Sequence, residues 1–117
     1  MIGFGQESKC FSGDCQDGYG AKMWYDSGDM YYGDFRNGKM YGTGRYINSN
    51  DAIYVGWFNN GMRHGTGTIT FDNGDKLFVT YNRDEIDGFG LRIEANGTIS
   101  WFEYDMGKFI DGGTKFK

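Results

Sequence analysis

The chain has 117 residues and a formal charge of −4, enough for one domain and little more. Glycine is its commonest residue at 21, aromatics make 19%, proline is absent, and branched aliphatics are few: eight Ile, two Leu and two Val. These numbers argue against a collagen helix and, with so many rings and so little net charge, a solvated coil, and apolar runs of only a few residues leave no membrane-spanning helix to expect. They leave a glycine- and aromatic-rich β protein.

The first residues, MIGFGQESK, have neither a basic region nor an apolar stretch, so no secretory signal is expected. Cys10 and Cys15 follow, separated by Phe-Ser-Gly-Asp. A disulfide between them is open to the chain but would close a very small loop, and His64 is the sole histidine, too few ligands for zinc. The expectation is therefore two reduced cysteines, no metal and a cytoplasmic location.

A repeat governs the rest. Gly42, Gly65 and Gly88 are 23 apart, as are Gly44, Gly67 and Gly90, and Phe35, Phe58, Tyr81 and Tyr104 keep the same step. One domain spanning 1–117 is expected, with a short first copy at about 10–30 and full copies at 31–53, 54–76 and 77–99. A partial copy fills 100–117, with a one-residue slip near Gly112-Gly113. Asn-Gly at 37–38, 60–61, 73–74 and 96–97, together with Asn50-Asp51, Arg83-Asp84 and Met106-Gly107, marks turns whose positions step alternately by 13 and 10. Asn-Gly favours tight hairpins, because both residues tolerate positive φ. Each copy is two strands and two turns, which predicts an all-β, elongated, single-layer antiparallel β-meander of hairpin repeats.

Strand alternation places Tyr31, Gly33 and Phe35 on one face and Tyr32 and Asp34 on the other. Rings of the Phe35, Phe58, Tyr81 and Tyr104 column are expected to lie over strand glycines, offsetting the weakness that glycine brings to a strand. The opposite-face residues Tyr32, Trp57, Phe78 and Trp101 would leave an apolar groove. A single layer cannot bury both its faces, so all eight residues are candidate partner contacts, with Trp57 and Trp101 as anchors.

The stretches YYGDFRNGKMYGTGRY and YVGWFNNGMRHGTGTITFDNGDK closely resemble the MORN (membrane occupation and recognition nexus) repeat. The resemblance covers about residues 11–113, with departures at Val79, Asp84 and Phe102, the last in a capping position. It implies a curved single-layer sheet, one hairpin per repeat, and an aromatic-lined groove used for protein binding or dimerisation. A phospholipid role is also linked to the family.

Catalytic chemistry is not visible. Gly-x-Gly lies on strands with no Lys-Ser/Thr and no helix after it, unlike a phosphate loop. His64 shares a column with Tyr41 and Asp87 and reads as a surface strand residue. Asp84, Glu85 and Asp87, with Asp105 and Asp111, read as solvated turns rather than a metal or glycosidase pair. No enzyme and no cofactor are expected. The leading expectation is a protein-interaction module acting as adaptor, scaffold or inhibitor. Alternatives are a self-associating homodimer, an acidic mimic blocking an enzyme's nucleic-acid site, and membrane-surface recognition. Direct nucleic-acid binding and anionic membranes are disfavoured by the acidic charge.

Overall fold

A computed structural model describes residues 7–116, with side chains through residue 114. MIGFGQ, most of the stretch read for a secretory signal, lies outside the described residues. The strands are β1 (Ser8–Gly13), β2 (Gly18–Trp24), β3 (Met30–Arg36), β4 (Lys39–Ile47), β5 (Ile53–Asn59) and β6 (Met62–Thr70). They continue as β7 (Lys76–Asn82), β8 (Glu85–Ile86), β9 (Gly88–Ile93), β10 (Ile99–Asp105) and β11 (Lys108–Phe116). All pair antiparallel with their chain neighbours in one open sheet; β8 and β9 share β7 as a partner. The expected all-β meander is the observed fold. The molecule measures 50 × 26 × 26 Å. A flat layer would be only about 10 Å thick, so the sheet departs from a plane by twist or curvature.

A row of glycines crosses the centre. Gly20, Gly33, Gly44, Gly56 and Gly67 are cross-strand partners in turn, and Val79 continues the row. A Cβ on Gly33 would lie 2.6 Å from the Cα of Gly44, and one on Gly56 would lie 2.7 Å from the Cα of Gly67. The strands are thus closer here than side chains permit. Over this gap lie Tyr31 and Tyr54: a Cβ on Gly44 would strike the Tyr31 ring, and one on Gly67 the Tyr54 ring. Their hydroxyls donate to the Asp34 carbonyl at 2.9 Å and the Trp57 carbonyl at 3.0 Å.

This corrects the expected column. Phe35, Phe58 and Tyr81 do not cover the glycines; they stand edge-on to the tyrosines that do. Tyr31 meets Phe35 and Phe58 with centroids 5.1 Å apart in each pair, and Tyr54 meets Phe58 at 5.2 Å and Tyr81 at 5.6 Å. Each such T-shaped contact contributes about 1 kcal/mol beyond area burial. All five rings are buried, Tyr31 completely. In the last copy Phe102 takes the tyrosine role, its ring over Gly90.

The two glycines of Gly-x-Gly have separate jobs. Gly44 and Gly67 lie under rings, whereas Gly42 (φ 69°) and Gly65 (φ 87°) sit in bulges. Between Gly33↔Gly44 and Phe35↔Met40, two steps along β3 match four along β4, and Gly56↔Gly67 and Phe58↔Arg63 repeat the pattern. Positive φ at the bulge turns the chain back into register.

Turns interlock successive copies. The Gly38 amide donates to Gln16 O, Gly61 to Met40 O, Asp84 to Arg63 O and Gly107 to Ile86 O, at 2.7–3.0 Å. Asp84 and Asp87, from the expected solvated acidic cluster, take part: Asp84 Oδ1 accepts from the Arg63 amide, and Asp87 Oδ1 from the Met106 amide.

The cysteines correct a second expectation. Cys10 and Cys15 form a disulfide, with Cα atoms 5.9 Å apart. A register shift between Cys10 and Ser12 and the positive φ of Gly13 (69°) fold the chain back on itself. The small loop therefore closes without strain on its reach. The expectation of two reduced cysteines is not met.

Gly67→Ala should destabilise the fold by about 3 kcal/mol, because its methyl must displace the Tyr54 ring. Thr66→Ala, at an exposed neighbour, should cost no more than about 0.5 kcal/mol. Urea denaturation of the two variants checks this, and similar midpoints would contradict it.

Candidate functional site

The face opposite the tyrosines is open. Val55, Thr68, Phe78, Leu91 and Trp101 are successive cross-strand partners on β5, β6, β7, β9 and β10. Strand alternation adds Trp57 and Phe89 to the same face. These residues, with Thr66 and Thr80, line a shallow groove of about 790 Å³ that has no charged side chain in its lining. Trp57 is 52% exposed and Phe89 67%, and Phe89 meets Trp101 at 6.4 Å between ring centroids.

Of the eight candidate contacts, Trp57, Phe78 and Trp101 come together in this groove. Tyr32 lines a neighbouring groove of about 490 Å³, joined to the first through Val55, and meets Phe11 edge-on at 5.9 Å. Phe35, Phe58 and Tyr81 are buried in the opposite face and are not available to a partner. Tyr104 is half-buried on that same side, between Phe102 and Phe109 at 5.6 Å from each. The sequence reading missed Val55, Phe89 and Leu91. The meander register carried the signal, since it pairs Leu91 with both Phe78 and Trp101.

The tyrosine face has a deeper feature. A cavity of about 320 Å³ is lined by Asp29, Met40, Tyr46, Ala52, Tyr54, Phe58, Arg63, Ile69 and Asp84, among others. Asp29 Oδ2 accepts from the Tyr46 hydroxyl at 2.6 Å, and its Oδ1 from the Ser49 amide at 3.1 Å. Arg63 is held at the far side, with Nε 2.9 Å from Asp84 Oδ1 and its guanidinium 4.3 Å above the Tyr81 ring. Burial pushes the Tyr54 phenol up to about 12, and burial, then the Asp29 hydrogen bond, raises that of Tyr46. Both rings therefore stay neutral.

A related carboxylate, Asp75, is buried at the next turn but one. Its Oδ1 accepts from the Ala95 amide at 2.9 Å and its Oδ2 pairs with Arg92. The Ala95 amide, then Arg92, hold its carboxyl below the usual range against the opposing effect of burial. His64 is exposed, and its Nδ1 receives only a long contact from the Arg83 amide at 3.4 Å. Among the described residues, no three His, Cys, Asp or Glu side chains converge on a metal-sized site. No helix among them is long and apolar enough to cross a membrane.

Residues 31–52 and 54–76 match the family model of the MORN repeat. No curated protein matches the chain. The two matched stretches hold the tyrosine–glycine pairs Tyr31–Gly44 and Tyr54–Gly67, and they are MORN repeats within this chain. The MORN repeat is a non-catalytic family that generally serves protein–protein or membrane interactions.

Asp75→Asn should lower the melting temperature at neutral pH, because a charged acceptor is lost beside Arg92. The folded pKa is depressed, so the stabilisation exists above the unfolded value of 3.8 and vanishes as pH falls through the folded one. Melting curves of wild type and variant should therefore converge in acid. A gap that stays constant with pH would contradict the assignment.

Proposed function

We propose that the chain is a non-enzymatic protein-interaction module whose docking surface is the Trp57–Phe78–Leu91–Trp101 face. One observation carries this reading: a contiguous apolar groove, rimmed by exposed rings and free of charge in its lining, on the side of the sheet that the core does not use. Such patches are uncommon on soluble proteins without a partner, and aromatic anchors dominate binding energy where one exists. The groove is shallow and long, which suits a protein surface better than a small ligand. By holding a larger protein through this face, the module would act as adaptor, scaffold or inhibitor.

The test is affinity capture with quantitative mass spectrometry, comparing wild type with a Trp57→Ala/Trp101→Ala variant and an Ile110→Ala control. Proteins enriched by wild type and by the control should be lost from the double variant, whose melting temperature stays within a few degrees of wild type. Retention of the same proteins by the double variant would overturn the assignment of the face.

A further inference from the structure

The repeat supplies its own comparison for the Asp29 cavity. Asp29 and Asp75 lie two periods apart, in the matching turns Tyr25-Asp26-Ser27-Gly28-Asp29 and Phe71-Asp72-Asn73-Gly74-Asp75. Each carboxylate accepts an amide from the following turn, Ser49 on Asp29 and Ala95 on Asp75. The second oxygen differs. On Asp75 it takes the guanidinium of Arg92, which also lies over the Phe71 ring at 5.6 Å. On Asp29 it takes only the neutral hydroxyl of Tyr46, the residue two periods before Arg92. The copy between them has Ala52 and Ile69 at these positions, and both line the space that results.

We propose that the Asp29 cavity receives one arginine side chain from a partner protein, held as Arg92 is held on Asp75. At about 320 Å³ the cavity lies near the small end of ligand sites, about 300–1,000 Å³, a size for a side chain and not for a folded surface. Its charged lining is Asp29, Asp84 and Arg63, which leaves one negative charge over. Arg63 is already engaged: Nε bonds Asp84, and Nη1 lies 3.0 Å from the Tyr81 hydroxyl. The uncompensated carboxylate is therefore Asp29. Met40 and Ile69 offer apolar wall to an arginine stem, and Tyr46 and Tyr54 offer rings to its cation. The net charge of −4 favours approach by a basic segment. The cavity lies across the sheet from the docking face.

The experiment is an amide-resolved NMR titration of the full chain with N-acetyl-arginine amide. Arms with N-acetyl-citrulline amide, N-acetyl-lysine amide and guanidinium chloride separate charge, fork geometry and stem. Saturable shifts should centre on the Ser49 amide and its neighbours. Citrulline should give none, and lysine and bare guanidinium should bind more weakly, lacking the fork or the stem. Asp29→Asn should weaken the arginine arm by about tenfold or more. Tyr46→Arg should fill the site from within, abolishing the shifts while the melting temperature holds or rises. Absence of shifts at Ser49, equal response to citrulline or lysine, or full binding by Asp29→Asn would each overturn the proposal. If Tyr46→Arg fails to fold, Asp29→Asn still decides.

Discussion

The close approach of glycine backbones beneath two tyrosine rings is the constraint on which this sheet depends. Glycine inside a strand costs about 0.5–1 kcal/mol relative to alanine, and five in a row across a sheet would be a liability if nothing used the space. Tyr31 and Tyr54 use it, lying over Gly44 and Gly67, and their hydroxyls reach backbone carbonyls beyond. Edge-on contacts with Phe35, Phe58 and Tyr81 then join the copies into one buried chain of rings. The core is made of rings against backbone and rings against rings, which is why so few aliphatics suffice.

That solution sets the character of the other face. The tyrosines bury one side only, and the strands alternate, so the residues between them must point away from the core. Threonines at 43, 66 and 80 are ordinary there, but Val55, Trp57, Phe78, Phe89 and Leu91 are not. Their exposure is a consequence of single-layer architecture, and it gives the molecule a sticky face with no second layer to cover it. On the tyrosine face the Asp29 cavity lies where Ala52 and Ile69 stand one period before Asp75 and Arg92.

Strand order, turns and facing were legible because they follow from a 23-residue period and a two-residue alternation, both local properties. Trp57, Phe78 and Trp101 could be placed on one face from parity alone. The choice of covering ring could not: Tyr31 and Phe35 have the same parity, and only the two-residue bulge at Gly42 decides which reaches Gly44. Nor does parity say which face is buried, so Phe35, Phe58 and Tyr81 on the covered face look as available in the sequence as Trp57 and Trp101 on the open one. The Cys10–Cys15 bond was hidden in a bulge that breaks the strand register. Asp29, Asp75 and Arg92 were missed because their relation spans two periods, with an apolar pair in the copy between.

Ring and glycine form one structural unit, and a double-mutant cycle between Tyr54 and Gly67 measures their coupling. Equilibrium unfolding would be measured for Gly67→Ala, Tyr54→Leu and the double variant. Non-additivity of about 1–3 kcal/mol is expected, with Gly67→Ala costing far less once the Tyr54 ring is gone. Costs that add within about 0.5 kcal/mol would contradict it and leave the glycine row without its explanation.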